Sequence, residues 1–202
     1  MYRKPWKRLY LSPGETAEIL KVTPASLRGW TSRGLLCAET TQGGHRRYPV
    51  SEVLRLAQAR GLGIELPAYL SLRVLVIDAD VRFSHCLQEV LEGSPEVAKV
   101  AIAHSGFIAG SLVAQFRPDF VLLDLKASGI DGFEVCRFIK HDQQTKFIRI
   151  IAMSRLCADE YHKRIVEAGA EACLLKPFPL RALKRVLGLS MQQTDTDEER
   201  IC

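Results

Sequence analysis

Four short apolar runs, each closed by one reactive polar residue, organise the carboxyl-terminal two thirds of this chain. They are Val74-Leu75-Val76-Ile77-Asp78, Phe120-Val121-Leu122-Leu123-Asp124, Ile150-Ile151-Ala152-Met153-Ser154 and Ala172-Cys173-Leu174-Leu175-Lys176. Runs of this kind read as strands buried on both faces of a parallel sheet. In open α/β sheets, ligands bind beyond the carboxyl ends of the strands, at the topological switch point. The pattern therefore brings two carboxylates, a hydroxyl and an ammonium to one pocket.

The first sixty residues follow another pattern. Ser12-Pro13-Gly14-Glu15 reads as a helix start, with Ser as N-cap, Pro at the first helical position and Glu at the third. Ala17, Ile19 and Leu20 give that helix an apolar side. Thr23-Pro24 repeats the signal and opens a second helix, which carries Leu27 and Trp30 and stops at Gly34. Two short helices joined by a tight turn make a helix-turn-helix candidate. The amino-terminal residues of its second helix, Thr23, Ser26 and Arg28, are those that would enter a major groove. Gly43-Gly44 between two extended pieces suggests a hairpin. Its returning strand presents His45, Arg46, Arg47 and Tyr48 to a phosphate backbone, Tyr48 being equally able to pack under the wing. Ser51 is expected to cap a third helix from Glu52 to Arg60.

Charge supports this division. The chain has 202 residues and a net charge of +5. Residues 1–60 hold 11 Lys/Arg against 4 Asp/Glu, a net of +7, whereas residues 61–202 carry −2. A strongly basic small unit joined to a mildly acidic one suggests that the first meets a polyanion, double-stranded DNA. No apolar run has the length of a membrane span and no signal peptide is evident, so a cytoplasmic location is expected. The six cysteines show no Cys-x-x-Cys pattern and read as buried thiols of a reducing compartment.

The pocket suits phosphoryl chemistry. A carboxylate can act as nucleophile and form an acyl phosphate, a lysine can hold the transferred oxygens, and a metal bound by carboxylates can neutralise charge. Asp78, Asp124, Ser154 and Lys176, together with Asp131-Gly132 after the second carboxylate, resemble the receiver domain of two-component response regulators over about residues 72–190. The resemblance implies a flavodoxin-like α/β fold: a doubly wound, five-stranded parallel sheet with helices near 82–92, 105–116, 132–141, 158–168 and 179–188. It also implies phosphorylation of Asp124 by a sensor histidine kinase, and Mg2+ held by Asp78 and Asp124. The amino-terminal pattern, with Ser26-Leu27-Arg28-Gly29-Trp30 and Gly43-Gly44-His45-Arg46-Arg47-Tyr48, resembles MerR-type or excisionase-type winged helices over roughly residues 9–60. The expected organisation is a DNA-binding unit at 1–60, an apolar linker at 61–72 that packs rather than swings, a receiver at 73–190 and a disordered tail at 191–202.

The receiver pattern is incomplete. Ala79 stands where the family has a second acidic residue, with Asp80 one step on. Arg155 replaces a small residue, Lys126 is near the metal-facing loop, and Cys173 stands where an aromatic switch residue is expected. Losing a carboxylate and gaining cations should weaken Mg2+; Lys126 and Arg155 would then neutralise Asp124, or Asp80 would restore the metal site.

Three functions follow. The leading one is a non-enzymatic DNA-binding transcriptional response regulator, with homodimerisation through the receiver by the family's usual surface, where Arg164, Glu167, Arg181, Lys184 and Arg185 lie. The second is a phosphorylation-independent DNA-binding adaptor whose degenerate receiver serves docking. The third is a phosphatase, since Asp78-Ala79-Asp80-Val81 also resembles the opening motif of haloacid-dehalogenase-type enzymes; its further acidic residues would have to come from Asp195, Asp197 and Glu198.

Overall fold

The computed structural model describes residues 9–41, 43–64, 66–67, 70–126, 131–155, 159–191 and 201. In the amino-terminal unit, the order is β1 (Tyr10–Leu11), α1 (Pro13–Ile19), α2 (Pro24–Ser32), β2 (Glu39–Thr40), β3 (Arg46–Pro49) and α3 (Val50–Ala59). The expected capping box closes α1: Ser12 Oγ accepts from the Glu15 N–H and the Glu15 carboxylate accepts from the Ser12 N–H. This satisfies two otherwise orphaned donors. Thr23 caps α2 through the Ser26 N–H. The hairpin forms as expected, with Gly44 at φ 77°, a left-handed conformation that glycine adopts without penalty. One expectation fails: Ser51 does not cap α3, whose N-cap is Pro49 with no side-chain bond.

An additional two-residue strand, β1, pairs antiparallel with β3, so the small sheet has the order β1-β3-β2. Leu11, Leu20, Leu27, Trp30, Leu36, Tyr48 and Val53 form its core. The connecting segment packs on the same core through Ile64, Leu66 and Leu70, so it is anchored, as its apolar composition suggested.

The second unit contains β4 (Leu72–Ile77), α4 (Val81–Glu92), β5 (Val97–Ala103), α5 (Gly106–Phe116), β6 (Phe120–Asp124), α6 (Gly132–His141), β7 (Arg149–Ser154), α7 (Asp159–Glu167), β8 (Ala172–Leu175) and α8 (Leu180–Leu187). All strands of its sheet are parallel, in the order β5-β4-β6-β7-β8. Alternate residues of each strand serve opposite faces, as the pleat requires. Val74, Val76, Phe120, Leu122, Ile151 and Met153 face α4 and α8, whereas Leu75, Ile77, Val121, Leu123, Ile150 and Ala152 face α5, α6 and α7. This is the doubly wound, flavodoxin-like fold expected.

Two residues from outside this frame complete its first face. Leu9 is buried in the α4–α8 core, over Gly188. Ile201 is buried there as well, its N–H donating to the Phe178 carbonyl at 3.1 Å. Ile201 thus departs from the disorder expected of the tail; residues 192–200 lie outside the described residues.

The cysteines also depart in part from expectation. Cys136 is buried, and burial pushes its thiol up to about 11, but Cys37 is exposed. Cys86 is disulfide-bonded to a partner outside the described residues.

Candidate functional site

The strand order reverses direction between β4 and β6, and Asp78 and Asp124 end those two strands. Lys176 follows β8. Its Nζ lies 2.5 Å from Asp78 Oδ2 and 2.8 Å from Asp124 Oδ2, and 4.2 Å from the centroid of the Phe83 ring. The ammonium thus bridges both carboxylates while resting on an aromatic face, which attracts cations. The remaining oxygens are also occupied: Asp78 Oδ1 accepts from the Asp80 N–H at 2.9 Å and Asp124 Oδ1 from the Lys126 N–H at 2.9 Å. Burial raises the pKa of the Asp78 carboxyl, against the pull of Lys176 and the Asp80 N–H. Ser154 is buried at the end of β7, and its carbonyl accepts from the Lys176 N–H at 2.7 Å.

Three local features hold this arrangement. Asp131 caps α6 by accepting from the Phe133 and Glu134 N–H groups. The next residue must be small: a Cβ on Gly132 would stand 2.8 Å from Leu125 Cα and 3.2 Å from the Asp124 carbonyl oxygen. The third support was missed: His104 Nδ1 lies 2.8 Å from the Asp78 carbonyl oxygen. Its signal was present, because Ala101-Ile102-Ala103-His104 is another apolar run closed by a polar residue.

The two extra cations do not neutralise Asp124. The Arg155 guanidinium lies 3.5 Å from Asp80 Oδ2, and Lys126 contributes its backbone N–H while remaining exposed. Nor does Asp80 supply the missing carboxylate: its Oδ1 accepts from the Phe83 N–H at 3.1 Å and caps α4. That bond lowers the Asp80 pKa, with a smaller contribution from Arg155. Two carboxyl groups facing one ammonium make an acidic pocket, which suits a cation. Asp78 and Asp124 fit Mg2+, which is commonly held by one or two carboxylates and water. Among the described residues, no group of three or more His, Cys, Asp or Glu side chains is placed to hold a metal.

In the amino-terminal unit, Thr23, Ser26 and Arg28 are exposed at the start of α2, and His45 and Arg46 are exposed at the hairpin. Arg47 is half-buried, with Nη1 donating to the Arg46 carbonyl. Tyr48 is a correction. It is 1% exposed, and its hydroxyl is bonded to Thr31 Oγ1 at 3.1 Å. It packs under the wing because β3 lies between β1 and β2 and turns this residue into the core.

A family model for the response regulator receiver domain matches residues 74–187, more than half of the chain, and a helix-turn-helix domain matches residues 10–61. The chain belongs to the response regulator family. Among curated relatives, the DNA-binding dual master transcriptional regulator RpaA of Synechocystis is 28% identical over 123 residues, covering 61% of this chain and 50% of that protein. The DNA-binding response regulator MtrA of Mycobacterium tuberculosis H37Rv is 30% identical over 126 residues, covering 62% and 53%. The chain thus spans about half the length of these relatives. A solved signal receiver domain of a DNA-binding response regulator from Colwellia psychrerythraea 34H is 38% identical with a TM-score of 0.56, over 58% of this chain and 95% of that one. A receiver from Bermanella marisrubri is 30% identical with a TM-score of 0.52, over the same shares. Regulators of this family are in general non-enzymatic, and receivers generally bind Mg2+ at the phosphorylation site. No helix among the described residues is long and apolar enough to cross a membrane.

Proposed function

We propose that this chain is a transcriptional response regulator in which Asp124 accepts a phosphoryl group from a sensor histidine kinase and the amino-terminal unit binds double-stranded DNA. Lys176 bridging two strand-end carboxylates carries the reading. In the transfer, an Asp124 carboxylate oxygen attacks phosphorus. The bond from phosphorus to the kinase imidazole nitrogen breaks as the acyl phosphate bond forms, and the electron pair stays on the imidazole. Lys176 is already within bonding distance of the nucleophile, so it can follow the charge onto the new phosphoryl oxygens. Mg2+, held by Asp78 and Asp124, would neutralise further charge. Ser154, at the adjoining strand end, is the hydroxyl assigned to the phosphoryl group. Thr23, Ser26, Arg28, His45, Arg46 and Arg47 face DNA. The proposed division is a DNA-binding unit at 1–60, a linker at 61–72 and a receiver at 73–190, acting in the cytoplasm.

The Asp80–Arg155 pair favours a second reading, an adaptor whose receiver only docks. With Ala79 in place of an acid and Asp80 engaged as a helix cap, the metal site keeps two carboxylates. The haloacid-dehalogenase-type reading loses support, because Asp80, its general acid, caps α4; Asp195, Asp197 and Glu198 lie outside the described residues.

Incubation with Mg2+ and a small phosphodonor, followed by intact mass measurement, separates the two main readings. The expected result is a gain of one phosphoryl group that is lost in Asp124→Asn, with DNA affinity changed by the donor. No gain, with DNA binding intact, would overturn the phosphorylation reading in favour of the adaptor.

A further inference from the structure

Helix α5, Gly106-Phe-Ile-Ala-Gly-Ser-Leu-Val-Ala-Gln-Phe116, contains no charged residue, in a chain whose residues are 25% charged. It is nevertheless a surface helix. Phe107 is 89% exposed, and Ile108 is also exposed. Between α5 and α6 runs an open cavity of about 300 Å³, lined by Gly106, Ala109, Gly110, Val113, Val135 and Phe138, with Glu134 as its charged wall. Phe138, on the α6 rim, is 66% exposed.

Gly110 adds an independent observation. A glycine inside a helix costs about 1 kcal/mol relative to alanine. Some glycines repay this by admitting a neighbour, as Gly132 does. A Cβ on Gly110 would meet nothing within 4 Å. Nothing within the described chain requires its missing side chain, and Gly110 is an exposed residue lining the open cavity.

We propose that this face pairs with the same face of a second copy of the chain. A two-fold interface must be self-complementary, and this surface holds both halves of a fit: a projecting phenyl ring at Phe107 and an apolar recess lined by Gly106 and Gly110. With the two α5 helices antiparallel, Phe107 of each copy enters the recess of the other. The charges agree, since Glu134 and Arg137 lie one turn apart on exposed α6 positions, and a two-fold axis sets each against its opposite. An aromatic side chain offers roughly 150–250 Å², so Phe107 and Phe138 together leave roughly 300 Å² of apolar surface in water per copy. That suffices for the core of a modest interface of roughly 800 Å² per partner, the remainder being polar rim. The receiver surface expected to pair, on α7, β8 and α8, is partly engaged within the chain: Lys184 is buried, and the Arg164 guanidinium stacks 4.8 Å from the Phe133 ring centroid.

Sedimentation of the full chain, diluted a hundredfold from roughly 100 μM, tests this. Every chain carries Cys37→Ser, because Cys37 is exposed and reductant would break the Cys86 disulfide, and each series is run with and without phosphodonor. The proposal expects dimers whose dissociation constant rises at least tenfold in both Phe107→Glu and Gly110→Leu. Arg185→Glu, on the other surface, should leave it unchanged. Unaltered circular dichroism melts would exclude misfolding, which neither site's open surroundings favour. A monomer under all conditions overturns the proposal, as does a dimer that survives Phe107→Glu and Gly110→Leu or one that Arg185→Glu dissociates. The outcome does not depend on whether Asp124 is phosphorylated, so the two proposals fail separately.

Discussion

The two faces of the receiver sheet are built from the same alternating strands yet end differently. One is sealed by α4 and α8 and then closed at its margins by Leu9, from the amino-terminal unit, and Ile201, from the tail. The other carries three helices and keeps a recess between two of them, flanked by bare phenyl rings. The contrast teaches that apolar surface is not covered in proportion to its amount. The sealed face spends distant parts of the chain on cover; the open one exposes aromatics and a glycine with no neighbour to admit.

The strongest test of that contrast is to strip the sealed face. Leu9→Ala should cost about 2–3 kcal/mol, the lower part of the usual range for a buried leucine truncation. The melting temperature should fall by roughly 4–12 °C for a chain of this size. Calorimetry reads it, and a drop of a degree or less would mean that Leu9 is not part of that core.

A smaller effect, of opposite sign, is expected at the carboxyl end of the central strand β4. Asp78 is a buried carboxyl with a raised pKa, so folding disfavours its charged form. The stability of the neutral form is present below the ordinary carboxylate range and lost as pH rises through the raised value. Asp78→Asn should therefore raise stability at pH 7, and the gain should shrink towards zero as pH falls below the ordinary carboxylate range. Denaturant midpoints across pH measure this. A destabilised mutant at pH 7 would show that the bond to Lys176 outweighs the burial.

The least effect on stability belongs to the open face. Phe107→Glu should change unfolding of the dissociated chain by less than about 0.5 kcal/mol, as exposed substitutions do. Denaturation at high dilution checks this. A loss comparable to that in Leu9→Ala would erase the distinction between the faces.

Much of this was legible in the residues. The helices of the receiver begin and end within one or two positions of expectation, because apolar runs and caps such as Asp131 are local signals. The pocket was legible for the same reason: four strand ends carried their chemistry in plain order. What escaped depends on partners far away in the chain. Arg155 meets Asp80 across 75 positions, a pairing that the spacing of the two residues does not show. Tyr48 sits in a basic run that resembles a DNA contact, but its direction is set by β1, a pair of residues too short to show any period. Ser51 looked like a cap, yet α3 starts one residue earlier.

Leu9 and Leu11 stand two positions apart, one in the receiver's core and the other in the core of the winged unit. Two residues of extended chain reach no more than about 7 Å. Between them, Tyr10 bonds to Glu39 of β2 through its hydroxyl and feels Arg149 at the start of β7. The joint between the units is thus a short stiff axle and not a tether. Leu9 packs over Gly188 at the end of α8 and Leu11 pairs with Tyr48 of β3, so the receiver's last helix and the wing are joined through three consecutive residues.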